Sequence, residues 1–271
     1  MTISDLTRTD LHLVSLHGEV QDLDGVVVAR TPGNPTYRWG NFILLNSCPE
    51  PGDLEPLIHR ARQLFRDQPE SLHALIRWDG EAIPETLESW ATQLGMTNDN
   101  GMAMRAGRLE ARTHPELAVR PLDLEKDWVE IEELNRTCDP EEIPEQPDYV
   151  LFKERLRQSW KVWAKQDGFT WWGGFIDDRL VGQLGMAVCP GGFGRFQSVE
   201  TAPDMRRQGI CSTLVSTVGN HALDHLQCRE LLLGIDPEGN ASRVYRKLGF
   251  TLEDWNHGLV MIDATEYDQA P

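Results

Sequence analysis

The chain has 271 residues, about 40% of them apolar, which is enough for one large or two small globular domains. Its net charge of −17 disfavours a sequence-independent grip on nucleic acid and fits cationic partners, although acidity that only maintains solubility is the commoner reason. No apolar run approaches the roughly 20 residues of a membrane span and the first ten residues do not form a leader, so we predict a cytoplasmic protein without nucleic-acid or membrane partners.

The cysteines and histidines do not predict a metal site. Five cysteines, an odd number without CxxC spacing, indicate free thiols rather than a disulfide framework or a zinc ribbon. His221, His225 and Cys228 would share one helical face, but no fourth ligand follows from the sequence. We therefore predict that no metal is bound.

The first half alternates strands and helices. Residues 11–20 and 25–31 are predicted as strands from their apolar patterning. The next four segments repeat the order strand, helix, strand, helix: "NFILLN", "DLEPLIHRARQLF", "SLHALIRW" and "IPETLESWATQLGM".

The run "ARTHPEL" at 111–117 interrupts this pattern, and we place a domain boundary there, giving domains 1–115 and 116–271. The second domain is predicted to begin with a strand, two helices and a hairpin that turns at Asp177 and Asp178. Between the two helices lies an acidic stretch, Asp139 to Asp148, which is predicted to be an exposed loop.

The second domain then repeats the order of the first half. "RFQSVET" is a strand, a helix carries Ile210, Leu214 and Val218 on one face, "ELLLGID" is a buried strand, and "NASRVYRKLGF" is a second helix. We interpret the two halves as an internal repeat, with convergence of two ordinary alternating units as the alternative. The predicted fold class is α/β (α+β), a mixed central sheet flanked by helices.

The turn "TAPDMRRQGICSTLV" at 201–215 is the strongest candidate site. Arg206 and Arg207 precede a helix, whose positive N-terminus disfavours cations unless an anion is bound there. Gly209 lets the backbone approach such an anion, and the first amide groups of the helix can donate to a phosphate. An ordinary arginine-bearing helix start is the alternative. No P-loop or dinucleotide fingerprint is present.

Three motifs in order, "VETAP", "RRQGIC" and "YRKLGF" preceded by an asparagine, resemble the GNAT superfamily of acyl-CoA-dependent N-acyltransferases over residues 116–265. The resemblance implies a GNAT fold, with acetyl-CoA as co-substrate and an amine as acceptor. It implies that the strand pairs with the pantetheine arm, that the turn binds the pyrophosphate, and that Tyr245 protonates the departing thiolate. The implied cofactor-binding residues are Val199, Glu200, Thr201, Arg206, Arg207, Gln208, Gly209, Ile210, Cys211, Ser212, Asn240 and Tyr245.

The chain departs from the GNAT pattern at two positions and in its first half. Cys211 replaces the usual Gly or Ala, and Asn240 lies closer to Tyr245 than in many members. The first half has the acidic "CPEPGDLEP" where the second has the arginine turn. It resembles the degenerate copy of tandem members, a partial GNAT-like domain without a cofactor site that would shape the acceptor side or a subunit contact, with a homodimer as one option.

The expected reaction is direct attack of a neutral amine on the thioester in a ternary complex, because no Cys-His or Ser-His pair suggests a covalent intermediate. Glu200 is the first candidate base and Asp236 the second. The alternative interpretation is that Glu200 is a paired or solvated carboxylate without a catalytic role. Tyr245 is the candidate acid, against a reading as a core tyrosine.

The acceptor is expected to be a cationic small amine, because the acidic stretch falls where the superfamily lines its acceptor site. Trp160 and Trp163 would either wall this pocket or, more simply, pack in the core. Two rival functions remain: a peptide or protein N-acetyltransferase, and a sensor or scaffold that binds coenzyme A without catalysis.

Overall fold

A computed structural model describes residues 3–139, 147–235 and 241–269. The chain forms two compact units, residues 1–102 with 254–271, and residues 103–253. Both are mixed sheets covered by helices, so the predicted fold class is confirmed. In the described residues, no helix combines the length and apolar character that crossing a membrane requires.

The first unit begins with a helix, and the prediction of a strand over 11–20 was wrong for most of that range. Ser4 caps the helix by accepting a hydrogen bond from the Thr7 amide at 3.0 Å, and Leu13 and Val14 are buried. Asp79 accepts from the Ser4 amide at 2.8 Å, so a tertiary contact fixes the helix start. The helices of this unit are α1 (Asp5–Ser15), α2 (Leu54–Leu64) and α3 (Glu85–Gln93).

The strands of the first unit are β1 (Glu19–Leu23), β2 (Val26–Arg30), β3 (Phe42–Leu44), β4 (Ala74–Asp79) and the short β5 (Thr97–Asn98). The pairs β1–β2 and β2–β3 are antiparallel, and β3–β4 is parallel. The predicted strand, helix, strand, helix order is therefore present. The last strand of this sheet comes from the far end of the chain, since Asn256–Met261 pair antiparallel with β4.

In the second unit the strands are β6 (Gly101–Ala106, of which residues 103–106 belong here), β7 (Ala118–Pro121), β8 (Phe169–Ile176), β9 (Arg179–Cys189), β10 (Phe193–Thr201) and β11 (Glu230–Ile235). Their order in the sheet is β6-β11-β10-β9-β8-β7. The β8–β9 hairpin turns at Asp177 and Asp178, as predicted, both with positive φ. The helices are α4 (Trp128–Cys138), α5 (Pro147–Trp163), α6 (Ile210–His225) and α7 (Ser242–Lys247), and β12 (Thr251–Met261) follows.

The division of the units lies at 102/103 rather than at the predicted 115/116. Leu109 already belongs to the second unit, because its amide donates to the Asn220 side chain of α6 at 3.0 Å and it packs in the core beneath that helix. The end of the chain belongs to the first unit through the pairing of β12 with β4. Strand pairing at long sequence separation decides these assignments, and the local pattern near residue 115 does not reveal it.

Candidate active site

A bend at the end of β10 feeds directly into α6. After a 3-10 turn over Pro203–Met205, Arg207 and Gly209 take positive φ values of +66° and +88°, and α6 starts at Ile210. Among the described residues, no side chain caps this helix start. The first-turn amide groups therefore lack partners within the helix, and the exposed Arg206 and Arg207 lie next to them.

Side-chain contacts hold the bend in place. Arg179 at the start of β9 makes a bidentate ion pair with Asp204, at 2.7 and 3.0 Å. The side-chain amide of Gln208 donates to the main-chain carbonyl of Asp204 at 3.3 Å, which closes the turn from the other side. The bend thus keeps its shape through contacts with the sheet edge and with itself.

Strand β10 separates from β11 before it reaches the bend. Their parallel pairing covers only Phe193–Arg195, although both strands continue. On its other edge β10 pairs with β9 through a bulge between Gln197 and Glu200, where Ser198 has a φ of +46°. In the described part of the chain, the main chain of β10 between Gln197 and Thr201 therefore has one edge without a strand partner.

Tyr245 lies in the core between α6, α7 and the sheet. Its side chain is 5% exposed, its ring contacts Phe250 edge-on at 5.9 Å between centroids, and it lies near Cys211. Burial, with a smaller effect of Cys211, raises the pKa of the Tyr245 hydroxyl above its ordinary value. Burial also raises the pKa of Cys211 to about 11, so both groups are neutral near pH 7.

Glu200 is held by two amides on the opposite side of the sheet from α6. Asn135 Nδ2 donates to Oε1 of Glu200 at 2.5 Å, and Gln183 Nε2 donates to Oε2 at 2.6 Å. Asn135 and Gln183 are both fully buried. Within the described ranges no cation lies within ion-pair distance of Glu200. Its charge is therefore stabilised by neutral donors and is not neutralised by a counterion.

The pKa of Glu200 is raised because burial desolvates its carboxylate, although Gln183, Lys153 and Asn135 lower it and Asp139 adds to the rise. Burial and the charge of Glu200 raise the pKa of the Cys138 thiol to about 11. Cys138 donates to the Thr201 carbonyl at 3.5 Å. It is a neutral thiol beside the carboxylate.

Two further carboxylates among the described residues around Glu200 and its amides carry their own cations. Asp139 pairs with Lys153 Nζ at 2.7 Å and accepts from the Tyr149 hydroxyl at 3.2 Å. Glu132 lies 3.4 Å from Nε of the buried Arg157. Among these described groups, the charge of Glu200 is the one without a paired cation.

The structure brings together most of the predicted site residues in two places. Those at the end of β10 and the bend are contiguous, and Tyr245 lies near Cys211 at the start of α6. Asn240, Asp236 and residues 140–146 of the acidic stretch lie outside the described residues. Trp160 and Trp163 are buried against Trp171 and Phe169, so they are core residues, which was the simpler alternative.

The predicted motifs did not include Asn135 and Gln183. A glutamine in the middle of the otherwise apolar strand "RLVGQLGMAV" was the available signal for Gln183, because a buried polar group needs a hydrogen-bond partner. His221 and His225 lie 4.7 Å apart between ring centroids, and His221 packs on Trp172. No cluster of three or more ligands for a metal occurs in the described part of the chain.

The corresponding helix start in the first unit is occupied by acidic side chains. Glu50 and Asp53 form a capping box before α2, in which each side chain accepts from the main chain of the other. The Asp53 carboxylate accepts from the Glu50 amide at 3.0 Å. Two carboxylates at this position disfavour a bound anion.

The chain resembles known proteins both in sequence and in fold. Residues 128–250 match the family model described as the acetyltransferase (GNAT) family. A search among curated proteins gives no match. Many solved structures share the fold.

Three of these solved structures cover most of the chain. A functionally unknown conserved protein from Staphylococcus epidermidis has a TM-score of 0.76 at 14% identity, over 92% of this chain and 95% of its own. A GCN5-related N-acetyltransferase from Kribbella flavida has a TM-score of 0.66 at 14% identity, over 96% of each chain. A tandem GNAT protein from the clavulanic acid biosynthesis pathway has a TM-score of 0.56 at 13% identity, over 88% of this chain and 78% of its own.

The family match covers α4, the hairpin, the separated strand, the arginine bend and α7, which are the elements that build the site. This chain therefore contains a GNAT-family acetyltransferase domain at residues 128–250.

Proposed function

We propose that the second unit is an N-acetyltransferase that transfers an acetyl group from acetyl-CoA to the primary amine of a cationic small molecule. The observation that carries this proposal is the bend at Gly209, where unpaired helix amides and two exposed guanidinium groups follow a strand that has left its neighbour. The bend suits a diphosphate group, and the free strand edge suits an extended arm of the same ligand.

The residues at the bend fit a diphosphate. A Cβ placed on Gly209 would have no atom within 4 Å, so the space in front of the main chain is open. The amides from Gly209 to Ser212, with Arg206 and Arg207, would hold the diphosphate, and Gln208 and Ile210 supply main-chain positions between them. The free edge of β10 at Val199, Glu200 and Thr201 would pair with the pantetheine arm. Asn240 is assigned to the cofactor by the family resemblance alone.

Acetyl-CoA supplies an activated thioester, and two residues of this chain would handle the protons. Glu200 would accept a proton from the acceptor ammonium, and its raised pKa improves it as a base near neutral pH. As the new C–N bond forms and the C–S bond breaks, Tyr245 would donate its proton to the departing sulfur, and the second proton that the amine nitrogen loses would restore the Tyr245 hydroxyl. The raised pKa keeps Tyr245 protonated and able to donate, and no hydrogen-bond partner within the described residues occupies its hydroxyl.

The charges around Glu200 favour a cationic acceptor. Among the described residues, Asp139 and Glu132 are paired with Lys153 and Arg157, whereas Glu200 accepts hydrogen bonds from the Asn135 and Gln183 amides and has no paired cation. An ammonium group would complete the charge balance there, and the net charge of −17 would attract cations over a longer range.

The first unit is proposed to be a degenerate GNAT-like copy that binds no acetyl-CoA, because its capping box places Glu50 and Asp53 where the second unit has the arginine bend. Isothermal titration of acetyl-CoA should give one site per chain. Two equal sites would contradict the assignment of the first unit and leave that of the second intact.

The proposal is tested by free thiol release from acetyl-CoA with a panel of small polyamines, amino sugars and lysine peptides, compared between wild type and Glu200→Gln. We expect acceptor-dependent release with a small cationic amine and a large loss in the variant. Release only with peptides would indicate a protein acetyltransferase. Tight binding of acetyl-CoA with no release for any acceptor would indicate a sensor and overturn the proposal.

A further inference from the structure

The two amides that hold Glu200 are themselves oriented by groups that can only donate hydrogen bonds. Arg157 Nη1 donates to Asn135 Oδ1 at 3.1 Å. Trp171 Nε1 donates to Gln183 Oε1 at 3.2 Å. A guanidinium and an indole N–H have no acceptor capacity, so each must face the oxygen of its amide.

This arrangement fixes which end of each amide faces Glu200. With the oxygens of Asn135 and Gln183 turned toward Arg157 and Trp171, both NH₂ groups point at the carboxylate. Gln183 Nε2 also lies 3.4 Å from the Ile131 carbonyl, a second acceptor that suits a nitrogen at this position. Both oxygens of Glu200 therefore accept hydrogen bonds, which favours the ionised form.

The supports are rigid and buried. Arg157 and Trp171 are each 2% exposed, and Arg157 is anchored by Glu132. The Trp171 ring stacks on Trp160 at 4.4 Å between centroids. Gly185 leaves room for it, since a Cβ there would come within 2.7 Å of the ring. Neither support can turn away without disturbing the core.

We propose that Arg157 and Trp171 are positioning residues that act through Asn135 and Gln183 to keep Glu200 ionised and aimed as the base. This inference deepens the proposed function and rests on it for its catalytic consequence. The structural part, the orientation of the amides and its effect on Glu200, stands independently of catalysis.

Among the described residues, two charged groups act on the titration of Glu200, one from α5 and one from the end of α4. Lys153 on α5 favours its ionised form, whereas Asp139 after α4 disfavours it. Burial raises the pKa values of Cys138 and Tyr149, and the charge of Glu200 adds to both rises, so both groups are neutral near pH 7. The amides of Gln183 and Asn135, together with Lys153, lower the pKa of Glu200. Loss of either amide is therefore expected to raise this pKa.

The test uses Trp171→Phe, which keeps an aromatic ring at this position and removes the indole N–H. Gln183 then loses the donor that orients it, and its hydrogen bond to ionised Glu200 weakens. Asn135→Asp is the second variant, because it replaces the other NH₂ donor with a carboxyl oxygen. Trp160→Phe is the matched control: its Nε1 has no hydrogen-bond partner in the described structure, and its ring lies in the same stack.

The first readout is the carboxyl titration of Glu200 by NMR in the full chain labelled with ¹³C-glutamate, assigned with Glu200→Gln. We expect Trp171→Phe to raise the Glu200 pKa by about half a unit or more, and Asn135→Asp by about one unit or more. Trp160→Phe should leave it unchanged. If both variants titrate as the Trp160→Phe control does, the positioning role is refuted.

The second readout is the acid limb of the kcat profile with a saturating amine. We expect this limb to move to higher pH in Trp171→Phe by the same shift, with kcat recovering as pH rises. A fall in kcat that does not recover at any pH would refute the role through Glu200. If the two variants show the NMR shifts but wild type has no amine-dependent turnover, the proposed function fails and the positioning of Glu200 stands.

Discussion

Arg206 is tied to the strand that precedes the bend, because its Nε donates to the Thr201 carbonyl at 3.2 Å. The same carbonyl accepts the thiol of Cys138. The exposed Arg206 is thus held by its inner nitrogen. This geometry connects the end of β10 with the proposed phosphate site.

We predict that Arg206→Ala and Arg207→Ala each weaken acetyl-CoA binding about tenfold or more, because each removes charge-assisted hydrogen bonds to the diphosphate. The loss should shrink as salt is raised, since these groups are exposed. Isothermal titration at two salt concentrations measures both effects. Arg108→Ala, an exposed arginine paired with Asp224, is the control, and an equal loss there would point to a general charge effect instead.

We predict that Gly209→Ala weakens acetyl-CoA binding on the order of tenfold, because a Cβ would project into the space where the main chain approaches the ligand. Gly95→Ala is the matched control, since Gly95 also has a positive φ, of +78°, and equally open surroundings. Both changes should cost about 1 kcal/mol of unfolding free energy from the left-handed backbone. Equal acetyl-CoA affinity in the two variants would contradict the role of the bend.

We predict that Tyr245→Phe lowers kcat roughly 100-fold while the dissociation constant of acetyl-CoA stays unchanged, because only the proton donor is removed. The ring packing against Phe250 is retained. Steady-state kinetics and isothermal titration separate the two effects, with Tyr267→Phe in the first unit as the control. Full activity in Tyr245→Phe would make Tyr245 a core residue, which was the alternative from sequence.

We predict that the first unit loses stability in acid because His73 is buried. Burial lowers the pKa of this imidazole from 6.5 to about 4, and its Nε2 lies 2.9 Å from the Asn41 carbonyl. The unfolded chain therefore takes up a proton below pH 6.5 that the folded chain accepts only near pH 4. Stability is fully present above pH 6.5 and is lost between these values, by roughly 3 kcal/mol.

Thermal unfolding of wild type and His73→Gln between pH 7 and pH 4 measures this effect. Glutamine keeps a donor for the Asn41 carbonyl and has no charge to gain. We expect the variant to be less stable at pH 7 but to lose less stability on acidification. An identical pH dependence in the two proteins would assign the acid sensitivity to other groups.

Local pattern alone predicted much of this protein. The period of Ile210, Leu214 and Val218 identified α6, since one face of that helix is apolar, and the glycine and arginines before it marked the bend, since a helix start needs donors satisfied. The turn at Asp177 and Asp178 also followed from local sequence. The start of the chain was predicted incorrectly because Leu11 to Val14 suit either a strand or a helix, and the cap at Ser4 with its contact to Asp79 decided for the helix.

Tertiary structure alone decided which strands pair with one another and which side chains surround Glu200. The pairing of Asn256–Met261 with β4 joins residues 177 to 187 positions apart, which no local pattern encodes. Asn135, Arg157, Trp171 and Gln183 lie on four different elements, and only the fold brings them to one carboxylate. A sequence period reports which face of an element is buried, whereas the partner that each buried polar group finds depends on packing between elements.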